Sequence, residues 1–138
     1  MIKIIYGPKG FGKTKIILDE LNTAAETAKG NVVFVTDKRI ASTANIDLRV
    51  RLAYTEEHNV NGAVALGGFI NGLLAGNSDI EYVFIDGLKR IIGNELEGGE
   101  KLFDIMGDLQ KEYPDLKFVI TVSSTLDELP PYIKNRLD

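Results

Sequence analysis

The sequence predicts an α/β fold: one three-layer domain built on a mainly parallel, open sheet of about five strands flanked by helices. Three observations lead there. Short, continuous apolar runs rich in Val, Ile and Phe occupy residues 2–6, 32–36, 82–85 and 118–122, as suits strands covered on both faces. Helical periodicity appears between these runs. Residues 47–55 instead alternate polar and apolar over most of their length, which predicts an edge strand with one open face. At 138 residues the chain reads as a single domain, residues 1–138.

Residues 2–6 run straight into a glycine-rich turn. From Lys13 to Lys29, Ile17, Leu21, Ala24 and Ala28 recur at helical spacing, with Gly30 as the expected C-terminal cap. The strand at 32–36 ends at Asp37. In the alternating segment, Arg49 and Arg51 fall on one face, where charge discourages edge-to-edge pairing. Leu66, Phe69, Ile70, Leu73 and Leu74 predict a second helix, and Gly67, Gly68 and Gly72 point to close packing against the sheet. The strand at 82–85 ends at Asp86-Gly87. Leu102, Ile105, Met106, Leu109 and Tyr113 predict a third helix that stops before Pro114. The strand at 118–122 ends at Ser123-Ser124, and Pro131 is placed to start one short final helix.

Composition narrows the function. Hydrophobic residues make up 44% and charged residues 26%, which fits a globular domain. A net charge of −4 gives no reason to expect a broad nucleic-acid footprint. With no cysteine, disulfides, thiolate nucleophiles and Cys-based zinc sites are excluded. The single His58 reads as a loop residue and supplies neither a histidine metal cluster nor a serine triad. No stretch approaches the roughly 18 apolar residues of a membrane span. Residues 1–6 are too short for a signal peptide, so a cytoplasmic protein without membrane partners is expected.

Gly7-Pro8-Lys9-Gly10-Phe11-Gly12-Lys13-Thr14 fits G-x-x-x-x-G-K-[ST] at every specified position. Glycines let the backbone curl so that its N–H groups form a nest for phosphate oxygens, continued by the free donors of the following helix. The expected contacts run from Gly7 through Lys15. Lys13 would set its ammonium on the β- and γ-phosphates, and Thr14 would offer its hydroxyl to Mg²⁺. Lys9 reads as a solvated loop residue or an extra charge near the γ-phosphate. Chance would produce such a match in roughly one of a hundred sequences of this composition, and the setting between an apolar strand and an amphipathic helix makes chance less frequent still.

Tyr82-Val83-Phe84-Ile85-Asp86 is an apolar strand ending in aspartate, like the Walker B segment that follows a Walker A loop. With both motifs in order, the chain resembles the P-loop NTPase superfamily, most closely the RecA-like additional-strand ATPases. The resemblance implies that Asp86 holds Mg²⁺ through a water. It places the last strand between the loop strand and the Asp86 strand, with Ser123 or Ser124 near the γ-phosphate. ATP is the expected nucleotide: Asp86-Gly87-Leu88-Lys89 does not complete a D-x-x-G switch, and Val35-Thr36-Asp37-Lys38 is not a guanine-reading N/T-K-x-D.

The chain departs from the class at Gly87, where many relatives carry a catalytic glutamate. Glu56, Glu57 and Asp37 are the alternatives by position, and with Lys13 and Ser123 they complete the candidate catalytic set. No transition-state arginine stands out among Arg39, Arg49, Arg51, Arg90 and Arg136. Lys38-Arg39 and Lys89-Arg90 could form a small basic rim for phosphate or nucleic acid, though no interleaved aromatics mark a single-strand groove. The reading is therefore a minimal ATPase completed by a homo-oligomer or protein partner, or a nucleotide-dependent switch that hydrolyses slowly or not at all. Gly87 favours the switch over a fast hydrolase. A small phosphotransferase ranks below both, because no lid or second domain is evident.

Overall fold

A computed structural model describes residues 1–39 and 45–137. The described elements are β1 (Ile2–Gly7), α1 (Lys13–Thr27), β2 (Asn31–Thr36), β3 (Arg51–Tyr54), α2 (Ala63–Gly76), β4 (Ile80–Asp86), α3 (Leu88–Ile92), α4 (Gly99–Glu112), β5 (Lys117–Ser123) and α5 (Pro131–Lys134). A 3-10 turn, Thr55–His58, follows β3. The five strands form one sheet in the order β1-β5-β4-β2-β3, and every neighbouring pair is parallel. The expected α/β class is correct. The last strand, β5, lies between β1 and β4.

The apolar runs are continuous because helices cover both faces of the sheet. Ile5, Val32, Phe34, Phe84 and Val119 pack with Ile17, Leu21, Ala24 and Ala25 of α1. Their strand neighbours Val33, Val35, Val83, Ile85, Phe118 and Ile120 face the other way, onto Leu66, Ile70 and Leu74 of α2 and Leu102, Phe103 and Met106 of α4. Each large side chain buried this way contributes roughly 1.5–3 kcal/mol.

Four local expectations change. The alternating segment yields only the short edge strand β3; Arg49 precedes it, in a turn where its side chain pairs with Asp47 at 2.6 Å. Asp47 also accepts the Arg49 N–H at 2.9 Å, so the turn closes on itself before the strand begins. Helix α1 is capped at Ala28 and not at Gly30, whose N–H instead donates to Glu81 at 3.0 Å. Gly67 lies against Ile105 and Leu102 of α4, so the close approach is helix to helix. The one-turn helix α3 begins one residue after Asp86, past Gly87, and has no counterpart in the sequence reading. Among the described residues, no helix is long and apolar enough to cross a membrane.

In an all-parallel sheet the strand ends share one edge. Gly7 lies in register with Ser123, Ile85 with Ile120, and Thr36 with Asp86. The glycine-rich turn, Asp37, Asp86 and Ser123 therefore gather at the C-terminal edge, where open α/β sheets bind ligands.

Candidate functional site

The turn between β1 and α1 is tight. The Phe11 N–H donates to the Pro8 carbonyl at 3.1 Å, and Gly10 and Gly12 take left-handed φ values of 87° and 79°. L side chains rarely tolerate this conformation, so glycine at both places lets the chain turn into α1. The N–H groups of Lys13, Thr14 and Lys15 open the helix and have no intrahelical acceptor.

Lys13 folds back over the turn and donates to the Pro8 carbonyl at 3.0 Å; the residue is 8% exposed. Burial holds its ammonium below the ordinary lysine range, and the Arg90 guanidinium adds to this against the opposing pull of Asp86. A bound anion would relieve such an enclosed cation. Lys9 is exposed, and Lys15, also exposed, lies 3.6 Å from Asp19.

Asp86 is 1% exposed, and both carboxylate oxygens are held. Oδ1 accepts the Thr121 hydroxyl at 2.6 Å, while Oδ2 accepts the Thr14 hydroxyl at 3.3 Å. The Thr121 oxygen also accepts the Gly87 N–H at 2.7 Å. The Asp86 carbonyl accepts from Thr36 at 3.1 Å. Side chains from β5 and the first turn of α1 thus hold the carboxylate, while β2 holds the main chain of the same residue.

Arg90 lies across the top of β4. Its Nε donates to Asp37 Oδ1 at 3.2 Å, and Nη2 is 3.6 Å from Asp86 Oδ2. The guanidinium covers Gly87 so closely that a Cβ there would fall 2.3 Å from Arg90 Cζ. Gly87 itself has φ 87°. The position where the sequence lacks a glutamate is thus filled by an arginine from one helical turn later.

The acids behave differently. Asp37 is 7% exposed and is carried next to Asp86 by the β2–β4 pairing. Glu56 and Glu57 follow β3, two strand spacings or about 10 Å from β4. Both are exposed, and Glu57 is engaged by Arg39 at 2.9 Å. Ser123 is half-buried beside Gly7, and the Ser124 N–H donates to the Gly7 carbonyl at 3.0 Å. Lys38 and Arg39 lie exposed beyond β2; on the other side of the rim, Arg90 is committed to the acids.

Thr14 Oγ1 and Asp86 Oδ2 are hard oxygen donors at close range. Such a pair suits Mg²⁺, which accepts one or two protein oxygens and completes its octahedron with water and phosphate. Among the described residues no group of three or more His, Cys, Asp or Glu forms a cage for a metal bound by protein alone. A cleft of about 290 Å³ opens beside Thr14 and Lys15, bounded by Leu18, Asn22 and Ile46.

The importance of Thr121 and Arg90 is not legible in the sequence pattern. Thr121 sits inside an apolar strand, and Arg90 reads as one of two basic residues after a strand end. No protein-family model matches the chain, and no curated protein matches it.

Proposed function

We propose that the chain binds a Mg²⁺–nucleoside triphosphate, with ATP the expected nucleotide, in the cradle from Gly7 to Lys15. The observation that carries this reading is the hydrogen bond between Thr14 and Asp86, which joins the phosphate-loop motif to the acidic strand end across 72 residues of chain. The order β1-β5-β4 supports the resemblance to additional-strand P-loop proteins, because β5 lies where that class has its extra strand.

In this reading the backbone N–H groups of the turn hold phosphate oxygens. Lys13 would exchange the Pro8 carbonyl for the β- and γ-phosphates, and Thr14 and Asp86 would hold the metal, Asp86 through a water. Bound Mg²⁺ would neutralise charge on the phosphates. Thr121 fixes the Asp86 rotamer, and Ser123 lies beside Gly7 at the edge of the cradle.

Fast hydrolysis needs a base or a residue that positions water. Asp37 is the nearest candidate, but Arg90 engages it. Slow turnover, or turnover completed by a homo-oligomer or protein partner, follows. The protein then acts in the cytoplasm as a nucleotide-dependent switch before it acts as a hydrolase.

Thermal unfolding with Mg-ATP, Mg-GTP and ADP tests the reading. At 100 times Kd a ligand adds about 2.7 kcal/mol, a shift of several degrees for a domain of this size. No shift with any of them rejects it.

A further inference from the structure

We propose that Arg90 is the terminal-phosphate sensor of this site, a cation that changes partners when Mg²⁺–nucleoside triphosphate binds. The inference rests on the nucleotide-binding reading above.

Arg90 now serves as counter-ion to two acids on neighbouring strands. Asp37 and Asp86 follow and end β2 and β4, and their side chains are 10% and 2% exposed. Two carboxylates this enclosed repel each other unless a cation sits between them. The guanidinium does so, yet it is held loosely: its side chain is 47% exposed, and the Nη2–Asp86 Oδ2 separation is 3.6 Å. The same Asp86 Oδ2 lies 3.3 Å from the Thr14 hydroxyl. Arg90 is therefore two contacts from the loop residue expected to face the metal.

Arg90 and a divalent metal cannot both rest on Asp86 Oδ2 at full strength. With a hydrated metal beside Asp86 Oδ2, the carboxylate holds Arg90 less strongly, and the guanidinium meets a second repelling cation. Nε keeps Asp37, and the donors released from Asp86 Oδ2 turn to the outermost phosphate, which a guanidinium can grip with parallel N–H donors. A diphosphate offers nothing there. Gly87 is the structural condition for this arrangement, since any Cβ would displace the guanidinium from its place over the strand end.

The account separates triphosphate from diphosphate binding. Mg-ATP and Mg-ADP affinities are to be measured by calorimetry on the full chain, in the wild type and in Arg90→Ala and Arg90→Gln. The glutamine keeps a donor for Asp37 without the charge. Loss of a charged phosphate contact is expected to reduce the preference for ATP over ADP by about tenfold or more, with ADP affinity little changed. The Mg²⁺ concentration for half-saturation is also expected to fall in both variants, because a competitor for Asp86 has gone. A merely structural role for Arg90 would weaken both nucleotides alike. If the wild type binds ATP and either folded variant keeps the wild-type preference, the inference is overturned while the binding reading survives. If the wild type binds neither nucleotide, both fall.

Discussion

The Thr121 hydroxyl donates to Asp86 Oδ1 at 2.6 Å and accepts the Gly87 N–H at 2.7 Å, so one β5 side chain fixes both the acid and the backbone that follows it. All three groups are buried. Thr121→Val keeps the shape but leaves a carboxylate oxygen and an N–H without that partner. Such orphaned groups cost about 1–3 kcal/mol. Urea unfolding is expected to show a loss in that range, and the variant should need more Mg²⁺ for nucleotide binding, because Asp86 is no longer held in its rotamer.

Under the proposed reading, Gly87 stands where many additional-strand ATPases carry a catalytic glutamate, which makes Gly87→Glu the obvious attempt to create a faster hydrolase. The geometry predicts that it fails. At φ 87° an L residue is strained by about 1–2 kcal/mol, and its Cβ would push the Arg90 guanidinium off the strand end. Gly87→Ala and Gly87→Glu are both expected to lower the thermal midpoint without raising phosphate release. A Gly87→Glu protein that hydrolyses ATP at least tenfold faster at unchanged stability would show that Arg90 does not need this space.

The turn before β3 has a pH signature. Asp47 accepts both the side chain and the N–H of Arg49, and the side-chain bond foremost holds its carboxyl at about 2. The Asp47 N–H is in turn held by Asn22 of α1 at 2.9 Å, which anchors the wall of the cleft beside Thr14. A carboxyl with a lowered folded-state pKa stabilises the fold above its ordinary value, and that contribution is lost as pH falls through the folded value. Asp47→Asn should therefore be less stable than the wild type at pH 7. The gap in urea midpoint should narrow between about pH 4 and pH 2. A gap that stays constant over that window would mean the ion pair contributes nothing to the turn.

Much of the fold can be read from residue pattern, for definite physical reasons. Strands covered on both faces need unbroken apolar runs, so β1, β2, β4 and β5 stand out. The loop needs glycines and Lys13-Thr14 at fixed spacing, so it is visible without a structure. Other features depend on contacts between distant residues. The pairing of Asp47 with Arg49 interrupts a strand that period-two alternation alone would extend. Helix α3 spans a single turn, Leu88–Ile92, too short for periodicity to register. Its one clue is Leu88, Ile91 and Ile92 at helical spacing beneath the exposed Arg90. Among the candidate acids, sequence position ranks Glu56, Glu57 and Asp37 equally. Only the order β4-β2-β3 shows that Asp37 is Asp86's neighbour and the glutamates lie a strand further out.

The central claim is that the cradle from Gly7 to Lys15 binds a Mg²⁺–nucleoside triphosphate through Lys13 and Thr14. Its most direct test is calorimetric titration of Mg-ATP into the wild type, Lys13→Ala and Thr14→Ala. The account predicts saturable one-to-one binding to the wild type. It predicts a loss of about tenfold or more in affinity for Lys13→Ala, and a weakened Mg²⁺ dependence for Thr14→Ala. No detectable binding to the wild type, or equal affinity in all three folded proteins, would contradict it.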